Sequence, residues 1–120
     1  MKFWEIIGDL FIPGPEKTYA QRKQETERLT THQIQMKISQ RMKSGQKCGV
    51  LYEVLADRAD AEANRNSTES VTERRRKYQD RYNQAIQMTE SARLALIAER
   101  EAQNLPCGVL YRAQANFDRE

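Results

Sequence analysis

The sequence predicts an elongated all-α fold: a helical hairpin or coiled-coil-like bundle of two long helices with short flanking helices, built from an internal duplication. Three observations lead there. The pentapeptide Cys-Gly-Val-Leu-Tyr occurs at residues 48–52 and again at 107–111. Residues 17–61 laid over 76–120 also match Tyr19 with Tyr78, Arg22 with Arg81, Thr30 with Thr89, Arg41 with Arg100 and Ala56 with Ala115. The 120 residues include only five Gly and three Pro, so long stretches run without a helix breaker. Hydrophobic residues make up 38% of the chain and charged residues 31%, against roughly 45–50% and 25% in an average domain, a balance that suits solvated helices.

Residues 1–12 hold the one concentrated apolar stretch. At the helical pitch Phe3, Trp4, Ile6, Ile7, Leu10 and Phe11 fall within an arc of about 160°, with Glu5, Gly8 and Asp9 opposite. This predicts a short amphipathic helix. Pro13-Gly14-Pro15 ends it, because each Pro removes a donor and pushes its predecessor out of the helical region.

From Pro15, well suited to a first helical turn, to about Met42 no breaker intervenes. One long helix is expected there, with a sparse apolar seam of Tyr19, Leu29, Ile34, Met36, Ile38 and Met42 and with Gly45 as its left-handed cap. Residues 48–63 form a shorter helix with Val50, Leu51, Val54 and Leu55 on one face and Asp57, Asp60 and Glu62 on the other. Residues 64–68 are a polar break, and Ser70 with Glu73 has the capping-box spacing. The last long helix, about 71–103, repeats Val71, Tyr78, Ala85 and Ala92 every seventh residue, with Tyr82, Thr89 and Leu96 four places on, a coiled-coil-like spacing. Asn104-Leu105-Pro106 ends it and the second pentapeptide opens a terminal turn of helix.

The chain thus divides into an anchor helix and hinge at 1–14, a first repeat at 15–66 and a second at 67–120. Cys48, Val50, Leu51, Tyr52, Cys107, Val109, Leu110 and Tyr111 are the expected repeat core. In the hairpin, preferred over two repeats stacked side by side, the two pentapeptides are expected at opposite ends of a rod roughly 45 Å long.

Matched buried thiols are the favoured reading of the two cysteines, since unpaired Cys is among the most buried residue types. A disulfide needs an oxidising compartment and a zinc site needs more ligands than these and a lone His32 provide. No metal and no cofactor are implied. His32 sits among polar residues, and the chain has no phosphate loop, no paired-His zinc spacing and no nucleophile elbow. Enzymatic chemistry and a small-molecule substrate are therefore not expected.

The net charge of +3 is uneven: −1 over residues 1–14, +5 over 15–52, −4 over 53–73 and +3 over 74–120. Charge complementarity within the chain or between subunits is the simpler reading. Arg74, Arg75, Arg76, Lys77 and Arg81 are the candidate polyanion contact, sequence-blind because no base-reading motif accompanies them.

So polar a chain has little with which to build a private core, which predicts a homo-oligomer or a subunit of a larger assembly. Phe3, Trp4, Ile7, Leu10 and Phe11 are the expected anchor to a partner. The functional expectation is a non-enzymatic structural or assembly protein. The short chain, its Gln/Arg/Glu/Ala-rich helices and its apolar leader resemble small internal or connector proteins of bacteriophage particles. The alternatives are a nucleic-acid-associated protein using its basic helices and a peripheral membrane protein anchored through residues 1–12. No stretch approaches the ~20 apolar residues of a membrane span and no secretory signal is evident, so the expected location is intracellular or inside a virion.

Overall fold

The structure, a computed structural model, describes residues 17–119. The anchor residues Phe3, Trp4, Ile7, Leu10 and Phe11 and the Pro-Gly-Pro hinge lie outside the described residues. Those described are all-helical: α1 (Tyr19–Glu27), α2 (Thr31–Lys43), α3 (Gly49–Asn66), α4 (Val71–Gln87), α5 (Glu90–Ala102) and α6 (Gly108–Phe117).

Each of the two long helices expected from the sequence is divided in two, and a threonine divides it. Thr30 is extended (φ −72°, ψ 160°). Its hydroxyl accepts from the Gln33 amide at 3.1 Å while its own amide donates to the Gln33 side chain at 2.9 Å. This reciprocal box satisfies donors that a continuous helix would have satisfied along its axis, so a new helix starts at little cost. Thr89, 59 residues on, is likewise extended (φ −66°, ψ 156°) and accepts from the Ala92 amide at 3.1 Å. The seven-residue spacing of 71–103 therefore does not describe one face: Ala92 lies beyond the break and is exposed, and Val71 is 55% exposed.

Positions 59 apart share backbone geometry through both halves. Gly45 (φ 71°), expected as a left-handed cap, and Asn104 (φ 57°) end α2 and α5. Behind each cap an arginine Nε donates to a loop carbonyl at 2.7 Å, Arg41 to Lys47 and Arg100 to Pro106. Cys48 and Cys107 then precede α3 and α6 with φ of −124° and −123° and the same ψ of 17°.

The centre of the molecule is α3 packed on α6, with α1 and α2 leaning on α3 and with α4 and α5 leaning on α6. The pentapeptides are not at opposite ends of a rod. Tyr52 and Tyr111 meet with ring centroids 6.1 Å apart, because α3 and α6 carry the densest apolar faces and cover each other best. Val50, Leu51, Val54, Leu55 and Ala56 from α3 are buried with Leu110, Tyr111, Ala113 and Ala115 from α6, and Ile34, Ile38 and Ile97 close the flanks.

Two glycines let these helices come close. A Cβ on Gly49 would lie 2.7 Å from the Asp118 carbonyl oxygen, and one on Gly108 would lie 3.0 Å from Asp60 Oδ1 and 3.4 Å from Ala59 Cβ. The contacts are reciprocal, since 49 and 108 differ by 59, as do 59 and 118. That is the pattern of a twofold interface. The whole measures 58 × 28 × 24 Å with a radius of gyration of 16.9 Å, against about 13 Å for a compact chain of this size.

Candidate interaction surfaces

A polar shell surrounds the α3–α6 contact. Glu53 stands on the interface side of α3 and is nearly buried. It accepts from Tyr19 Oη at 2.7 Å and pairs with Lys23 at 2.8 Å and Arg119 at 3.0 Å. Burial pushes its carboxyl up, yet the hydrogen bonds from Lys23 and Tyr19 outweigh this and hold it below the usual carboxylate range. Burial and the bond to Glu53 push the Tyr19 phenol up to about 12.

Across the interface Arg112 donates from Nη2 to Asp57 at 2.7 Å and Asp60 at 2.9 Å. Lys23 reaches Asp57 as well, at 3.1 Å. Burial raises the Asp57 carboxyl, and the bonds from Arg112 and Lys23 bring it below its ordinary value. The acidic 53–73 segment is thus joined to cations of both basic segments.

A second polar cluster lies in the core, and sequence reasoning missed it. Arg93 is 2% exposed and Gln114 fully buried. Arg93 Nε donates to Gln114 Oε1 at 2.8 Å and Nη1 to the carbonyls of Ala85 (3.0 Å) and Met88 (3.2 Å). The Phe117 ring centroid is 5.1 Å from its Cζ. Gln114 also donates to Glu90 at 3.0 Å.

The two carbonyls held by Arg93 lie where α4 gives way to α5, and that of Ala85 also accepts the Met88 amide at 3.3 Å. In the first half the same break is served from another helix: Arg58, on α3, donates to the carbonyls of Glu27 (3.1 Å) and Leu29 (2.6 Å) and to Thr31 Oγ1 (3.1 Å). Ile34 and Leu55 occupy the places of Arg93 and Gln114 there, and Arg58 that of Phe117. One guanidinium closes each break, from a different position in each half.

The basic cluster on α4 is largely committed. Arg76 pairs with Glu73 at 2.6 Å, Lys77 with Glu69, and Arg74 Nη1 donates to Asn64 at 3.2 Å. Arg75 and Arg81 are exposed and, with Arg74 and Lys77, line an open groove of about 620 Å³ between α3 and α4. A second groove, of about 580 Å³, is more apolar, with Ala59, Ala63, Ala85, Met88, Leu96 and Val109 in its walls.

Of the pentapeptide residues, Cys48, Val50, Leu51, Tyr52, Cys107, Leu110 and Tyr111 are buried and Val109 half-buried. Both cysteines are thiols, one in each half, with Sγ facing the carbonyls of Ile38 and Ile97 at 3.9 Å. Burial pushes the Cys107 thiol up. His32 is exposed in the first turn of α2. Among the described residues no group of three or more His, Cys, Asp or Glu could hold a metal, and no helix is long and apolar enough to cross a membrane. Comparison with protein-family models, with curated proteins and with solved structures gave no match.

Proposed function

We propose that the chain is a non-enzymatic structural protein, built by internal duplication, that works as a subunit of a larger assembly with residues 1–12 as its anchor. The observation that carries this reading is exposed apolar surface: among the described residues Met36, Met42, Val71, Ile86, Leu105 and Phe117 are 40–58% exposed. The carboxylates and guanidiniums around the α3–α6 contact are held in ion pairs with one another, and we read the chain as non-enzymatic. An internal or connector component of a bacteriophage particle fits these properties, as does a location inside the cell or virion.

Light scattering with small-angle X-ray scattering, in low and high salt, tests the proposal. A defined multimer in both is the expected result, reduced to the protomer by Trp4→Ser with Phe11→Ser. A doubly substituted chain that assembled as before would sink the role given to residues 1–12.

A second reading rests on the 620 Å³ groove, whose exposed Arg75 and Arg81 suit a phosphate backbone. Binding to random-sequence duplex DNA that falls steeply with salt and is lost in Arg75→Ala with Arg81→Ala would favour it. Unchanged binding in that variant would exclude the groove.

A further inference from the structure

We propose that the α3–α6 contact carries a pairing code written in charge: the first half presents an acidic shell and the second a basic one, so each half accepts the unlike half and rejects a second copy of itself. The contact is reciprocal in its backbone, as the two glycines show, with Tyr52 and Tyr111 at its centre. Such geometry would accept two identical halves as readily as two different ones. The charges do not obey that symmetry. Glu53 faces Arg119 at 3.0 Å, and at the related place Arg112 faces Asp60 at 2.9 Å. Positions 53 and 112 correspond, as do 60 and 119, and at both the sign of the charge is reversed between halves. Asp57, which shares Arg112, corresponds to the neutral Asn116, which donates to Tyr82 Oη at 2.7 Å.

Two first halves placed together would therefore set Glu53 against the Asp60 of the other copy. Two second halves would set Arg112 against Arg119. The side chains of Glu53 (11% exposed) and Asp60 (30%) are sheltered enough for their repulsion to resist screening, while Arg119 is 53% exposed and its repulsion with Arg112 is screened more. Lys23, which bridges Glu53 and Asp57, belongs to the first half and softens its self-repulsion. Its counterpart Tyr82 gives the second half no such relief. The proposal goes beyond the assembly reading and holds whichever outer surface the protomers use.

The test is to restore the symmetry in the full chain while keeping opposite charges at the 53–119 and 60–112 contacts. Asp57→Asn, Asp60→Arg and Arg112→Glu copy onto one side the residues found at 116, 119 and 53 on the other. Glu53→Arg, Asn116→Asp and Arg119→Asp do the reverse. In each triple variant the 53–119 and 60–112 contacts still join opposite charges, although Asp57→Asn gives up the Lys23–Asp57 pair and Glu53→Arg sets a cation beside Lys23; like halves become compatible as well. All six changes together reverse the polarity and bring the asymmetry back.

The chains are refolded from urea at low and high concentration and their masses compared with the wild type's native mass by light scattering, with circular dichroism to verify folding. Either triple variant is expected to give species of about twice the wild-type mass at high concentration. The wild type and the six-fold variant are expected to give none. The proposal is overturned if all four chains refold to one mass at every concentration, or if the wild type doubles too. It is also overturned if the Asp57→Asn, Asp60→Arg, Arg112→Glu variant, which keeps Lys23 paired with Glu53, fails to fold while the six-fold variant folds.

Discussion

Arg93→Met separates a buried guanidinium that serves structure from one that merely fits. Methionine is unbranched and flexible enough to fill most of the space, so the main loss is polar. Three hydrogen bonds go, to Gln114 Oε1, the Ala85 carbonyl and the Met88 carbonyl. A buried acceptor left without its partner costs about 1–3 kcal/mol, while net gains per bond are nearer 1 kcal/mol. Recovered desolvation of the arginine offsets part of this, leaving an expected loss of about 3 kcal/mol. With a urea slope near ~2 kcal/mol/M, the midpoint followed by circular dichroism should fall by about 1.5 M.

The first half supplies the rescue. Arg93→Ile, Gln114→Leu and Phe117→Arg together reproduce Ile34, Leu55 and Arg58. The guanidinium introduced at position 117 would then take the carbonyls at the α4–α5 break, as Arg58 takes those of Glu27 and Leu29. Replacing both members of a buried polar pair by apolar residues is often nearly neutral. The triple variant is therefore expected within about 1 kcal/mol of wild type. The reasoning fails if Arg93→Met keeps the wild-type midpoint, or if the triple variant is no more stable than the single one.

Three further outcomes can be checked by thermal melting. Gly49→Ala puts a Cβ 2.7 Å from the Asp118 carbonyl oxygen and 2.9 Å from Arg119 Cα, all backbone, and should cost about 2 kcal/mol; Gly108→Ala meets the movable Asp60 carboxylate at 3.0 Å, gains helix propensity and should cost under ~1 kcal/mol. Equal losses would refute the close approach assigned to Gly49. Gly45→Ala is strained at φ 71° and should lose about 1 kcal/mol, whereas Asn104→Gly at φ 57° should change stability by under ~0.5 kcal/mol. Glu53 and Asp57 lie below their ordinary values of 4.5 and 3.8 in the folded chain. Their contribution is thus complete above those values and lost as pH falls through the folded ones. Melting temperature should hold between about pH 7 and 5 and drop below about 4.5, less steeply in Glu53→Gln, and an equal drop in that variant would contradict the assignment.

Helix class, the pentapeptide core and the cap at Gly45 were legible because each rests on neighbours in sequence. The break at Thr30 carries a signal that was not used, since Thr30-x-x-Gln33 is a capping-box spacing, whereas Thr89-x-x-Ala92 has none. A stretch free of Gly and Pro argued for continuity and hid it. Four of the five matched pairs named outside the pentapeptide have matched work, Arg22 with Arg81 being the exception. Thr30 and Thr89 cap, Arg41 and Arg100 hold loop carbonyls, and Ala56 and Ala115 are almost fully buried. Tyr19 and Tyr78 both donate to carboxylates, Glu53 and Asp60. What could not be read was the partner of each charge. Nothing local distinguishes Arg93, fully enclosed, from Arg75 in solvent; the difference lies in Gln114 and two carbonyls brought near only by folding.

The positions that differ between the halves are the more informative ones. A guanidinium cannot move into the core alone, because an arginine at the place of Ile34 would have Leu55 in front of it and an uncompensated ionic desolvation. Nor can two guanidiniums serve one helix break, since the carbonyls are few and the charges repel. The exchange of Ile34, Leu55 and Arg58 for Arg93, Gln114 and Phe117 therefore has to be read as one change in three residues. The reversal at 53, 60, 112 and 119 has the same character, with every charge answered across the interface. Differences of this kind leave the shared backbone untouched while making the halves unlike, and only unlike halves can be told apart by a partner that binds one of them.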